Sequence, residues 1–115
     1  MKALGIDPGT ATTGYGILDE TGDTVKVIDY GCIKTSKNEP PQKRLEKICK
    51  DLKKIISKHK PNCVAVEKLF FGNNAKTAMS VGQARGVILL AASQSGVVIA
   101  EYTPLEVKMA ITGYG

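Results

Sequence analysis

The segment Lys2–Asp7 (KALGID) restricts the fold more than any other part of the sequence. Apolar or small residues occupy both sides of its alternating pattern, which is typical of a central strand that is covered on both faces. The segment then ends in a carboxylate. Because a carboxylate next to a protein core is costly unless something pairs with it, Asp7 needs a partner or a position at the edge of the sheet.

The rest of the chain alternates between strand-like and helix-like segments. Hydrophobic periodicity and turn residues predict strands at 2–7, 14–18, 24–34, 63–67 and 97–101, and helices at 43–59, at 75–94 and from Thr103 onward. The first three strands are close enough to pair antiparallel, whereas a strand–helix–strand crossover implies parallel neighbours. We therefore expect an α/β fold with a mixed five-stranded sheet and helices on both faces, the last helix being short.

Composition limits the class of protein only broadly. The chain has 115 residues, which suits one domain, and its net charge of +5 weakly favours a polyanionic partner. Its three cysteines form no CxxC pair, so we expect reduced thiols in the core. No apolar run is long enough for a membrane span or a signal peptide, and we expect a cytoplasmic protein without a membrane partner.

Two carboxylates carry the functional hypothesis. Asp7 and Glu67 each end an apolar strand, and each follows a small residue two positions earlier, Gly5 and Ala65. If the two strands are parallel neighbours, both acids emerge at one edge of the sheet, where a divalent cation would relieve their repulsion. Oxygen ligands without His or Cys favour Mg²⁺ or Mn²⁺. The alternative is that each acid is an N-cap or a solvated rim residue, and spacing alone leaves both interpretations open.

Three segments together point to a known family. GIDPGTATTGYGI, VAVEKLFFGNNAKTAMSVGQARG and YTPLEVKMAITGYG resemble the RuvC family of Holliday-junction endodeoxyribonucleases along the whole chain. The resemblance implies a ribonuclease-H-like fold and a homodimer that nicks four-way DNA junctions symmetrically in recombination and repair. It also implies Mg²⁺, with Mn²⁺ as a substitute, at two ions per complete active site, and junction-binding and branch-migration proteins as partners.

The resemblance also assigns roles to residues of this chain. It makes Asp7 and Glu67 the metal-binding catalytic acids, places Phe70 near the junction and places Lys108 near the scissile phosphate. Family members carry two further acidic or histidine ligands on a later helix. We therefore expect residues 1–115 to form a single ribonuclease-H-like nuclease domain that lacks the C-terminal helical segment of the family.

The basic residues have more than one interpretation. Ten of the sixteen lie between residues 34 and 60, where a solvated helix face is the ordinary meaning and DNA contact the alternative. Lys76, Arg85 and Lys108 lie nearer the predicted acidic edge and are better candidates for DNA binding. Arg85 could instead serve a dimer interface, because the helix at 75–94 is rich in small residues that allow another helix to approach.

Two other functions remain open on the sequence alone. A non-catalytic junction-binding or dimerisation module fits the smaller set of ligands. An ATP-binding domain of the actin or sugar-kinase type also has an Asp-x-Gly-Thr turn after its first strand, as in residues 7–10.

Overall fold

The computed structural model describes residues 1–67 and 75–102. These residues form five strands and two helices: β1 (Lys2–Asp7), β2 (Thr12–Thr21), β3 (Thr24–Lys34), α1 (Pro41–His59), β4 (Cys63–Glu67), α2 (Ala75–Gln94) and β5 (Val98–Tyr102). The strands make one sheet in the order β3-β2-β1-β4-β5. Strand β1 is therefore central, as its two apolar sides predict.

The pairing of the strands is mixed. β1 pairs antiparallel with β2, which pairs antiparallel with β3. β1 also pairs parallel with β4, and β4 pairs parallel with β5. The predicted mixed five-stranded sheet is thus confirmed. Short connections join the antiparallel strands, α2 lies between the parallel strands β4 and β5, and α1 leads from the edge strand β3 to β4.

One face of the sheet packs against both helices. Leu4 and Ile6 of β1 are fully buried in the same cluster as Val64 and Val66 of β4, to which they are directly paired. The helices contribute apolar residues at helical spacing to this cluster: Ile48, Leu52 and Ile56 from α1, and Ala84, Ile88, Ala91 and Ala92 from α2. The helix expected from Thr103 lies outside the described residues, so the prediction of helices on both faces is tested for one face only.

Element boundaries differ from the sequence prediction where a turn or a proline decides them. α1 begins at Pro41 and not at residue 43, because proline lacks an N–H donor and fits the first position of a helix. β2 runs from Thr12 to Thr21 and is twice as long as predicted, since its hairpin with β3 continues to the turn at Gly22. The bounds of β1, β4 and α2 agree with the prediction.

Some predicted side-chain roles also change. Cys32, Cys49 and Cys63 are free thiols, but Cys32 is exposed and so is not part of the core. His59, in the last turn of α1, places Nε2 3.0 Å from a carboxylate oxygen of Asp29 and ties the end of the helix to β3. No helix within residues 1–67 and 75–102 is both long and apolar enough to cross a membrane.

The packing of α1 makes a direct prediction about stability. Leu52 is completely buried against the sheet, whereas Lys50, two residues earlier on the same helix, is exposed. We expect Leu52→Ala to lower the free energy of unfolding by about 2–5 kcal/mol, because it removes buried methyl groups and leaves a cavity. Lys50→Ala should change it by less than about 0.5 kcal/mol. Urea unfolding followed by circular dichroism measures both, and equal effects would contradict the packing described.

Candidate active site at the ends of strands β1 and β4

The parallel register of β1 and β4 places the two predicted acids side by side. Ile6 is paired with Val66, and Asp7 and Glu67 are the next residues of the two strands. Both strands run in the same direction, so both acids lie at the same edge of the sheet. The structure thus confirms the backbone placement on which the metal hypothesis depends; the Glu67 side chain is outside the described part.

Small residues surround this pair on the sheet. Gly14 of β2 is directly opposite Asp7, and a Cβ atom at Gly14 would lie 3.8 Å from the Cβ of Asp7. Two residues before the acids, a row of four small residues crosses the sheet: Gly16, Gly5, Ala65 and Ala100. The row carries no bulky side chain, but Gly5, Gly16 and Ala65 are buried, so it is not an open surface.

Asp7 is exposed, and none of the ion pairs in the described part of the chain involves it. Exposure spares its carboxylate the full cost of leaving water, so burial alone does not demand a cation here. The reason to consider a cation is that Glu67 ends the adjacent strand, because two carboxylates brought close together repel and a divalent cation relieves that repulsion.

The candidate oxygen ligands fit a hard cation that keeps some of its coordination positions open for water or substrate. Within residues 1–67 and 75–102, no group of three or more His, Cys, Asp or Glu side chains lies close enough to hold a metal ion. Mg²⁺ binds through one or two carboxylates together with substrate phosphates and water. Asp7 and Glu67 are of the residue type that such an ion takes from a protein when the substrate brings the remaining oxygen ligands.

The turn after Asp7 is held by hydrogen bonds from three directions. The Thr13 hydroxyl, 1% exposed, donates to the Gly9 carbonyl oxygen at 2.6 Å. The Thr10 hydroxyl donates to the Ser80 carbonyl oxygen of α2 at 2.9 Å. The Thr35 hydroxyl donates to the Thr10 carbonyl oxygen at 2.6 Å. Thr13 thus satisfies the turn itself, whereas Thr10 joins the turn to α2.

The other predicted site residues lie in different places. Lys76 belongs to the first turn of α2, and its side chain is outside the described part. Arg85 lies further along the same helix and is half-buried. Phe70 and Lys108 lie outside the described residues. Their DNA-binding roles stay predictions.

Arg44 is a residue of this region that the sequence did not single out. It lies half-buried in the first turns of α1, and its Nε donates to the Thr35 hydroxyl oxygen at 2.9 Å. It also lines an open cleft of about 500 Å³ beside the Gly9–Thr12 turn. The one sequence feature that could have drawn attention to Arg44 is that it is one of two arginines among sixteen basic residues.

The sheet order and the acids on its central parallel pair define an α/β protein of the ribonuclease-H-like class. The sequence pattern of the family described as "Crossover junction endodeoxyribonuclease RuvC" matches residues 3–115. The chain belongs to the RuvC family.

Individual relatives agree with this assignment. Crossover junction endodeoxyribonuclease RuvC of Desulforamulus reducens is 52% identical over 115 residues, which are 100% of this chain and 71% of the relative. The protein of the same name from Halothermothrix orenii is 53% identical, and 70% of it is covered. Among solved structures, T. thermophilus RuvC in complex with Holliday junction substrate superposes with a TM-score of 0.88 at 34% identity, over 100% of this chain and 70% of that one.

The hydrogen bond inside the turn is open to a matched test. Thr13→Val keeps the shape of the side chain but leaves the Gly9 carbonyl without its donor. We expect the free energy of unfolding to fall by about 1–3 kcal/mol, the usual cost of an unsatisfied buried polar group. Thr12→Val, at the exposed neighbouring position, should have a much smaller effect. Chemical denaturation compares the two, and a larger loss for Thr12→Val would contradict the role given to Thr13.

Proposed function

We propose that this chain is the catalytic body of a Holliday junction resolvase, which cuts DNA at four-way junctions by hydrolysing phosphodiester bonds during recombination and repair. The observation that carries the proposal is the register of β1 and β4, which sets Asp7 and Glu67 at adjacent strand ends in a member of the RuvC family. The solved complex of T. thermophilus RuvC with a Holliday junction substrate supports the choice of DNA structure.

We assign the cofactor as Mg²⁺, with Mn²⁺ as a substitute. Asp7 and Glu67 would hold it, and a second ion would complete the site with ligands from beyond the described segment. Such ions lower the pKa of bound water and stabilise the charge that develops on the phosphate oxygens. The contribution of the chain itself is positional, since hydrogen bonds hold the turn that follows Asp7.

We infer the remaining DNA contacts from the positions of four residues in the sequence. We assign Phe70 to stacking on a base at the junction, and Lys76, Arg85 and Lys108 to the phosphate backbone. Stacking tolerates any base, and phosphate contacts position the strand without reading its sequence. Both therefore suit an enzyme that recognises the shape of a junction.

We further propose that the protein acts as a homodimer through one face of α2. Ala84 and Ile88 on the inner side of the helix are fully buried, whereas the outer side presents a stripe at helical spacing: Met79, Gln83, Gly86 and Leu90. Met79 is 70% exposed and Leu90 53%. At Gly86 nothing lies within 4 Å of where a Cβ would be, so a second helix can approach closely there. A two-fold dimer suits paired, symmetric cuts.

Its further partners and its location follow from the family. We expect junction-binding and branch-migration proteins to work with the dimer, and we expect the protein to act in the cytoplasm, where bacterial DNA is found.

The assignment of Asp7 predicts a loss of chemistry without a loss of binding. Asp7→Asn removes the charge that attracts a metal ion but keeps the size of the side chain. We expect Mg²⁺-dependent nicking of a labelled synthetic four-way junction to fall at least about a hundredfold, while the Kd for the junction in chelator changes by less than about threefold, since the loss falls on the chemical step.

Asp23→Asn is the control, because Asp23 is an exposed acid in the turn between β2 and β3. It should nick at the wild-type rate. Full activity of Asp7→Asn would contradict the catalytic assignment. Tight, junction-specific binding with no Mg²⁺- or Mn²⁺-dependent nicking by the wild-type chain would assign these residues to junction recognition alone.

The proposed dimer face can be tested by adding a charge. Leu90→Glu places a carboxylate in the centre of the α2 stripe, and burying it in a dimer would be costly. We expect it to raise the dimer dissociation constant at least about tenfold. Val25→Glu is the control, since Val25 is equally exposed, at 56%, on β3. Sedimentation equilibrium at micromolar concentrations measures both, and a wild-type chain that stays monomeric would contradict the dimer.

A further inference from the structure

The open cleft beside the active-site turn has the chemistry of an anion site. Glycine, alanine, valine and hydroxyl-bearing residues make up all of its lining except Arg44, its one charged side chain among the residues the structure describes: Gly9, Thr10, Ala11, Thr12, Arg44, Thr77, Ser80 and Val81. Its volume is about 500 Å³. Hydroxyls around one guanidinium, with no carboxylate among them, suit a phosphate group.

Hydrogen bonds fix the direction of the Arg44 side chain. The Thr35 hydroxyl gives its proton to the Thr10 carbonyl and accepts the Nε–H of Arg44, at 2.9 Å. One of the five guanidinium N–H donors is used in this way, and none of the ion pairs in residues 1–67 and 75–102 involves Arg44. The two terminal nitrogens are therefore left to form the fork that binds two oxygens of a phosphate.

The same hydrogen bonds link this arginine to the catalytic edge. Thr35 and Thr10 belong to the network that holds the turn immediately after Asp7, and the backbone N–H of Thr35 donates to the Ala11 carbonyl at 3.1 Å. A phosphate bound by Arg44 would thus lie at a fixed position relative to the backbone that positions the catalytic acid. A polymer with regularly spaced phosphates could occupy both places at once.

The neighbouring groove on α1 is a weaker candidate for the same role. Arg44 also borders it, but it combines five lysines with three acids, and two of these lysines are already paired, Lys43 with Glu46 at 3.4 Å and Lys47 with Asp51 at 3.8 Å. The three acids offset only part of this positive charge, but their carboxylates lie among the lysines and would repel a phosphate. The described lining of the cleft at Arg44 contains no carboxylate.

We propose that Arg44, oriented by Thr35, binds a backbone phosphate of the DNA strand that enters the active site, with the hydroxyls of the cleft around it. This inference rests on the proposed function for the identity of the polymer, but it adds a residue and a cleft to the DNA path. For one basic residue of α1 it adopts DNA contact, the alternative that the sequence left open beside a solvated helix face.

The experiment measures junction binding against salt concentration. A labelled four-way junction is titrated in chelator, so that no cutting occurs, from 50 to 300 mM KCl. Each neutralised phosphate contributes roughly 0.9 to the slope of log K against log salt on duplex and roughly 0.7 on a single strand. We expect Arg44→Gln to weaken binding about tenfold at low salt. We also expect the magnitude of the slope to fall by the contribution of about one phosphate contact in each protomer.

Two variants separate a phosphate contact from other effects. Arg44→Lys keeps the charge but loses the fork, so the slope should stay near wild type while the affinity falls partway. Lys58→Gln removes a positive charge from an exposed site about 21 Å further along the same helix and should leave both the slope and the affinity near wild type. A lower unfolding temperature for Arg44→Gln with an unchanged slope would assign Arg44 a structural role and overturn the proposal.

The same experiments distinguish a failure of this inference from a failure of the proposed function. A wild-type chain that nicks junctions through Asp7 while Arg44→Gln binds with the wild-type slope would overturn the phosphate site alone. Competition by ATP or inorganic phosphate that abolishes junction binding at micromolar concentration and depends on Arg44 would identify a free phosphate compound as the ligand and overturn the DNA assignment. A wild-type chain that binds no junction at any salt concentration would overturn both.

Discussion

The parallel pairing of β1 and β4 is the constraint on which the rest of the structure depends. It buries Leu4, Ile6, Val64 and Val66 on one face against the helices, and it brings two strands that end in acids to the same edge. A slip of one residue would move every side chain of a strand to the opposite face, so the apolar pattern also fixes the register of the acids. The packing of the core therefore also sets the position of the candidate site.

A hydrogen-bond network holds the turn at residues 8–12, next to Asp7, in one conformation. Hydroxyls of Thr10, Thr13 and Thr35 donate to the carbonyl oxygens of Ser80, Gly9 and Thr10 respectively. The bonds reach both α2 and the segment that leads into α1, so three parts of the chain meet at one turn. Such a frame holds the surface next to Asp7 in a fixed position.

Much of the fold could be predicted from the sequence because its signals are local. The apolar runs of β1 and β4 and the helical stripe of α1 report burial directly, and the bounds of β1 and β4 follow from them. The start of α1 and the length of β2 were missed because a proline that suits the first helical turn resembles a break, and because hairpin pairing extends polar residues into a strand. For the site, the pattern located Asp7 and Glu67. It could not locate Arg44, because helical periodicity shows which side of a helix is polar but not which loop lies against it.

The central claim is that Asp7 and Glu67 act on one cation together, and a double-mutant cycle on metal affinity tests it most directly. Binding of Mn²⁺ to the wild-type chain, to Asp7→Asn, to Glu67→Gln and to the double variant can be followed by electron paramagnetic resonance. We predict that each single change weakens binding and that the double change weakens it by clearly less than the sum, because the two carboxylates share one ligand. Purely additive losses, or wild-type affinity in either single variant, would contradict it.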